Sequence, residues 1–247
     1  LLVESKRLAI EYNGLMFHSR GTSEYSMFNN PNRKCSHLEK TKSVEALGFQ
    51  LLHVFEDEFI NSKKRRIWEV IIKDLIKPEN ISEFKVKELT EAESCDFVTN
   101  NHLTPPAKSD IHLGTYSNDE LISVMNFKQN GVGWLITEHA YKRSGTNTFK
   151  ELVASFTELH TGTLTLELNR RWNTEEHACV DCGFVLEEVQ EPRSYYFKQT
   201  ELNLISEQAF KSERKLESTP EEVFELGYRE IKDSGRLIFK RNTVNTN

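Results

Sequence analysis

The sequence predicts a mixed α/β fold (α+β) in two domains, on three observations. Strand-like and helix-like patterns alternate along the chain, a nearly continuous apolar run at residues 49–55 is flanked by helical patterns, and the order of elements changes character near Pro78.

The elements follow in order. Leu8, Ile10 and Tyr12 alternate with Ala9 and Glu11 up to Asn13-Gly14, a strand closing on a turn. Residues 19–34 are rich in Asn, Ser and Gly and read as a loop. Ser36-His37-Leu38-Glu39 fits a capping box at a helix start, with Gly48 as the C-terminal cap. Residues 49–55 make a strand buried on both faces. From Ser62 a helix carries Ile67, Trp68, Ile71, Ile72, Leu75 and Ile76 on one face, and Pro78 ends it. A boundary is expected at residues 78–82, giving domains of residues 1–78 and 79–247. The second begins with a strand at 84–89 and a helix at 90–100. A hairpin follows, with arms at 111–116 and 121–127 around Ser117-Asn118-Asp119. Then come a strand at 133–139, a helix from about 147 to 159, a strand at 163–168 and a helix at 174–182 capped by Gly183. Strands at 184–189 and 195–199, a helix opening on Pro220 and Glu221, and a strand at 236–240 after Gly235 complete the series.

The chain has 247 residues, 37% of them apolar and 28% charged, enough for a sizeable core and unlike a disordered chain. No stretch approaches the ~18 apolar residues of a membrane-spanning helix, and the opening residues lack the order of a signal peptide. Four cysteines do not make a disulfide scaffold in a chain of this size, so a reducing cytoplasm is expected. The net charge of -6 argues against a polyanionic partner, but it is unevenly placed. Residues 1–78 carry 13 Lys+Arg against 10 Asp+Glu, and the remainder 19 against 28. Only the first segment has a balance suited to DNA. The chain begins without Met on residues that already read as part of a hairpin, so this segment is expected to be incomplete at its N-terminus.

Glu11 is an acid within an otherwise apolar strand, followed seven positions later by His18. A buried carboxylate costs several kcal/mol unless a cation pairs with it. It is therefore a metal ligand of a divalent-metal nuclease, with the histidine as base or phosphate ligand, or a strand glutamate paired with Lys6, Arg7 or Lys40.

The segments LAIEYNGLMFHS and HLEKTKSVEALGFQLLHVFEDEF, with the helix beginning KKRRIWEVII, resemble phage homing endonucleases. These are related to the very-short-patch-repair endonucleases, within the PD-(D/E)XK superfamily. The resemblance covers residues 1–76 and implies a restriction-endonuclease-like mixed sheet, a Mg2+ cofactor, a double-stranded DNA partner and the cytoplasm of an infected bacterium. It implies Glu11 as the second metal-binding carboxylate, His18 as the histidine after the turn, and His37 and Lys40 on a helix against the active site. Asn13 stands where the superfamily has its Lys, and the metal-binding Asp would precede Leu1. Lys63, Lys64, Arg65 and Arg66 form the one dense basic run, either a phosphate contact or a solvated helix end. Glu56-Asp57-Glu58 invites a metal reading, but helix-start charge is the preferred one, since carboxylates there are favoured by the dipole.

From residue 84 to 199 the order of elements, the phrase EEHACVDCGFVLEE before YYFKQ, and RRWN at 170–173 resemble a GNAT-type N-acetyltransferase domain. That resemblance implies acetyl-CoA at the turn Arg143-Ser144-Gly145-Thr146, with Arg143, Gly145 and Thr146 as cofactor residues, although the turn has a single glycine. Arg170, Arg171 and Trp172 are the place in this acidic part for a DNA or substrate contact. Trp172, Tyr195 and Tyr196 either stack on bases or fill the core. His177, Cys179 and Cys182 suggest zinc, but one CxxC lacks the four ligands of a structural site, so buried thiols are expected. The function expected is Mg2+-dependent DNA cleavage of the homing type, reduced by the missing Asp. The alternatives are an acyltransferase or DNA-modifying protein using the second domain, or a DNA-binding module without activity.

Overall fold

The computed structural model describes residues 1–19, 36–81, 83–172, 176–198, 200–214 and 220–243. In chain order the elements are β1 (Leu2–Val3), β2 (Leu8–Asn13), α1 (Leu15–His18), α2 (Ser36–Ala46), β3 (Gln50–Phe55), α3 (Glu56–Ile60) and α4 (Ser62–Ile76). They continue with β4 (Lys85–Glu88), α5 (Glu91–Asn101), β5 (Ile111–Ser117), β6 (Glu120–Asn130), β7 (Gly133–Tyr141), α6 (Gly145–Leu159), β8 (Gly162–Asn169) and α7 (Glu176–Asp181). The last are β9 (Val185–Gln190), β10 (Ser194–Lys198), β11 (Ile205–Ser206), α8 (Glu207–Arg214), α9 (Pro220–Glu225), β12 (Tyr228–Lys232) and β13 (Arg236–Thr243). The mixed α/β class expected from the alternating patterns is the class observed.

Local chemistry sets the ends of these elements. Gly48 closes α2 at φ 75°, where its N–H bonds to the Glu45 carbonyl and the Phe49 N–H to that of Val44. Thr90 caps α5 with Glu93 in a reciprocal capping box. The β5–β6 hairpin turns on Asn118 and Asp119, both at positive φ, which suits the right-handed twist of its strands. Helix α2 begins at Ser36 itself; the Ser36 side chain and residues 19–34 beyond Ser19 lie outside the described residues.

The chain divides into two compact units, and the division does not follow a single cut at Pro78. One unit holds Leu1–Asn61, Asn169–Trp172 and Gln190–Arg236, the other Ser62–Leu168, Asn173–Val189 and Leu237–Asn247. In the first, β1 pairs antiparallel with β2, and β2 runs parallel to β3. A second three-stranded sheet has the order β11-β10-β12. Leu15, Phe55, Phe197 and Ile231 form a buried cluster of this unit. In the other unit a seven-stranded sheet has the order β4-β5-β6-β7-β8-β13-β9. Phe127, Ile136, Phe149, Leu152, Phe156 and Leu166 anchor its larger core, while Val98, Val124 and Ala140 pack with α5 on the other face.

Two expectations change here. The strand at 195–199, expected within the second domain, belongs to the first unit instead: β10 lies between β11 and β12, and β13 takes the place beside β8 in the seven-stranded sheet. Helix α8 and strand β12, unrecognised in the sequence, complete the part that joins the first unit. Their apolar signal is thin: α8 buries Phe210, and β12 buries Tyr228 and Ile231.

Candidate functional site

In the second unit β7 and β8 are parallel neighbours, but their ladder covers only Trp134↔Leu164, Leu135↔Thr165 and Ile136↔Leu166. Strand β7 continues to Tyr141 and β8 to Asn169, so the strands part beyond the third pair. The parting starts at a bulge, where the β6–β7 register steps from Phe127↔Ile136 to Asn126↔Glu138 and leaves Thr137 unmatched. Helix α6 leaves the end of β7 after residues 142–144, which puts its N-terminus at the C-terminal end of β7.

The predicted cofactor residues lie on this turn. Ser144 is left-handed at φ 55°, and its N–H and that of Gly145 each donate to the Asp74 carboxylate at 2.9 Å. Burial raises Asp74 above the usual carboxylate range, against the lowering effect of those two N–H groups. A side chain at Gly145 would come within 2.6 Å of the Tyr141 ring, which accounts for the one glycine of the turn. Arg143 lies 3.0 Å from Glu120 and 3.5 Å from Glu79, and Thr146 is half-buried. Lys73, Lys77, Glu79, Ser117, Asn118 and Arg143 are among the residues lining a cavity of about 810 Å³.

The α5 face of the same sheet holds a polar cluster that sequence reasoning missed. Glu138 is buried, and it accepts hydrogen bonds from the Ala107 N–H at 2.5 Å, Asn126 at 3.1 Å and Thr137 at 2.6 Å. Asn126 Oδ1 in turn lies 2.7 Å from Ser94 Oγ and 3.0 Å from His112 Nδ1. An acid within an apolar strand was the available signal, the same one that marks Glu11.

In the first unit Glu11, Asn13, His18, His37 and Lys40 come together. Lys40 forms an ion pair with Glu11, and His53, opposite Glu11 across the parallel ladder, places Nδ1 3.4 Å from the other carboxylate oxygen. Burial alone would raise Glu11, but His53 and then Lys40 hold it at about 2. Asn13 Nδ2 lies 3.2 Å from His53 Nδ1, and His53 Nε2 meets the Thr41 hydroxyl at 2.8 Å. His37 stacks on His18 and meets His53 edge-on, each at 5.1 Å between centroids. Its Nδ1–H donates to the Lys232 carbonyl at 2.7 Å, and burial and then the charge of His53 keep it neutral, with a pKa lowered to about 3. His53 escaped sequence reasoning because it sits inside an apolar strand.

The structure corrects the metal reading of Glu11. Of the two readings, the pairing with Lys40 is the one observed, and among the described residues no group of three or more His, Cys, Asp or Glu could hold a metal ion.

Other predicted contacts are placed as follows. Lys63, Arg65 and Arg66 are exposed on the first turns of α4, with Lys64 half-buried. Arg170 is paired with Glu45, and buried Arg171 binds Glu58 at 2.8 Å and lies over the rings of Phe55 and Trp172. Glu56 and Glu58 act as helix-start charge on α3, accepting from the backbone N–H of Leu15 and Phe55. Tyr196 stacks on Phe210 at 4.4 Å, and the Tyr195 hydroxyl accepts from Arg236 at 2.9 Å. Cys179 is buried and Cys182 half-buried in the larger core, both as thiols. Cys35 and the His177 side chain lie outside the described residues. Among the described residues no helix is long and apolar enough to cross a membrane.

No family model matches the chain, and no curated protein matches it. Similar solved structures include the ribosomal-protein-S18-alanine N-acetyltransferase from Escherichia coli, at 10% identity and TM-score 0.42, covering 67% of this chain and 97% of that one. An acetyltransferase from Bacillus subtilis in complex with CoA is similar at 16% identity and TM-score 0.38, covering 66% and 99%. A GNAT family acetyltransferase from Elizabethkingia anophelis with acetyl-CoA bound is similar at 10% identity and TM-score 0.40, covering 66% and 99%. The expectation of a phage homing endonuclease cleaving DNA with Mg2+ is corrected: the carboxylate on which the nuclease reading rested is the counter-ion of Lys40, and among the described residues no group of three or more His, Cys, Asp or Glu could hold the metal.

Proposed function

We propose that the second compact unit binds an acyl-CoA and transfers its acyl group to a nucleophilic acceptor. The observation that carries this reading is the parting of β7 from β8 after three pairs, with the N-terminus of α6 following directly on β7. In a parallel strand–helix–strand crossover, ligands bind at the C-terminal ends of the strands, and the first N–H groups of the helix face an anion.

The residues present fit such a ligand. The Ser144 and Gly145 N–H groups already receive an anionic group, the carboxylate of Asp74. In this reading they hold the ligand's pyrophosphate, with Arg143 on the same turn adding positive charge. When bound, an acyl-CoA supplies a thioester: its acyl carbon bonds to the acceptor as the C–S bond breaks and the thiol leaves. The absence of a Cβ at Gly145 lets the turn lie close against the Tyr141 ring.

Calorimetric titration of acetyl-CoA into the native chain and into the Asp74→Asn variant tests this reading. Saturable binding with one equivalent in either protein is the expected result. Absence of binding in both, with both folded by circular dichroism, overturns it.

A further inference from the structure

We infer that the two edges of the seven-stranded sheet are complementary to each other, so that β9 of one chain adds as a strand to β4 of a second copy of this chain. The inference stands apart from the acyl-CoA reading.

The sheet runs β4-β5-β6-β7-β8-β13-β9, so among the described residues β4 and β9 each have a strand neighbour on one side only. The outer backbone N–H and C=O groups of such a strand are a template for pairing with another chain. Edge strands are ordinarily protected by being short, by Lys or by Pro. Strand β4 follows that rule, with four residues of which Lys85 and Lys87 are exposed. Strand β9 does not: it has six residues, with neither Lys nor Pro among them. Val185, Leu186 and Val189 are 68%, 45% and 53% exposed. Side chains alternate along a strand, so Leu186 lies on one face and Val185 and Val189 on the other. Both faces of β9 thus leave apolar surface in water, which a neighbouring strand would cover.

Charge selects the partner. Between the apolar residues stand Glu187 and Glu188, and Glu187 lies 3.6 Å from Lys240 of β13 within its own sheet. Full antiparallel overlap of β9 with another β9 sets Leu186 opposite Val189 but also Glu187 opposite Glu188, and like charges directly opposite destabilise a sheet. The β4 edge has the opposite sign. In the antiparallel register with Val86 opposite Leu186, Lys85 stands opposite Glu187 and Lys87 opposite Val185. Val86 is half-buried and packs on the larger core, so the Val86–Leu186 pair extends an apolar face that already exists. Lys87 Nζ lies over the Tyr116 ring at 4.6 Å, which leaves Lys85 to supply the counter-charge.

The contact is heterologous. Each copy offers one β4 and one β9, so association is open-ended unless the rotation closes a ring. The four residues of β4 keep the ladder short, and association is accordingly weak and concentration-dependent.

Sedimentation equilibrium on the full chain tests the inference. The samples are the native protein, a Glu187→Lys/Glu188→Lys variant, a Lys85→Glu/Lys87→Glu variant and an equimolar mixture of the two variants. All the changed positions are exposed, and circular dichroism checks that each chain is folded. The native chain is expected to show an average mass that rises with concentration. Each variant alone is expected to associate about ten-fold more weakly, because like charges then face each other, and the mixture to regain native association. A native chain that stays monomeric at every concentration overturns the inference, as do variants that associate as the native chain does. A mixture that associates no better than the separate variants also overturns it, since restored complementarity is what a contact between β9 and β4 requires.

Discussion

Glu11 and His53 stand opposite each other on neighbouring parallel strands, with a carboxylate oxygen 3.4 Å from the imidazole Nδ1. Lys40 holds the other oxygen from the outside. The acid that suggested metal chemistry is therefore one member of a polar cluster built into the unit's sheet, and its ionisation is coupled to folding.

Glu11 titrates at about 2 in the fold, below the unfolded carboxylate value of ~4.3. Its contribution is present above the unfolded value and is lost as pH falls towards 2. Glu11→Gln is expected to lower stability at pH 7 by ~1–3 kcal/mol, a difference that closes near pH 2. Urea denaturation of both proteins at several pH values measures it, and a pH-independent difference would refute the coupling.

His37 behaves in the opposite chemical sense with the same acid-side consequence. Its folded pKa of about 3 lies below the unfolded value of ~6.5, so the unfolded chain binds the additional proton between those values. Stability is lost as pH falls from ~6.5 towards 3. His37→Asn, which keeps an N–H near the Lys232 carbonyl, is expected to reduce the slope of unfolding free energy against pH by the equivalent of about one proton in that window. An unchanged slope would show that His37 is not the group responsible.

Arg171 and Glu58 make a buried pair, and Arg171 also covers Phe55. Removing one partner leaves a buried charge uncompensated, so Arg171→Ala is expected to cost ~3–5 kcal/mol, while the double change to apolar residues of similar size costs less. A double-mutant cycle by chemical denaturation separates the pair from the packing.

Gly145 and Gly131 offer a paired comparison. A Cβ at Gly145 would meet the Tyr141 ring at 2.6 Å, whereas one at Gly131, φ 62°, would meet nothing within 4 Å. Gly145→Ala is expected to cost ~1–3 kcal/mol through overpacking, and Gly131→Ala only the backbone penalty of ~1 kcal/mol. Equal melting temperatures for the two variants would contradict this assignment.

Element identity was legible in the sequence wherever short-range physics decides it. The α4 face from Ile67 to Ile76, the turn at Asn118 and Asp119, the caps at Gly48 and Gly183 and the buried strand β3 are set by side-chain period and by backbone angles that few residues adopt. The grouping of Glu11, Asn13, His18, His37 and Lys40 came only from the resemblance to nuclease segments, since no local pattern links Glu11 to a helix 26–29 positions on. The Glu11–Lys40 pair was one of the readings left open, but the parts of His53 and Lys232 were not foreseen, because these partners are distant in the chain.

Only the tertiary structure decided the rest. Arg170 and Arg171 read as a place for a DNA or substrate contact because a basic pair has no local partner, and the fold supplied Glu45 and Glu58 from more than 100 positions away. The glycine turn at Gly145 was visible, but its occupant was not, since Asp74 reaches it across 71 positions. Sequence spacing fixes which groups share an element; long-range pairing, set by the packing of the whole unit, fixes which charges remain for function.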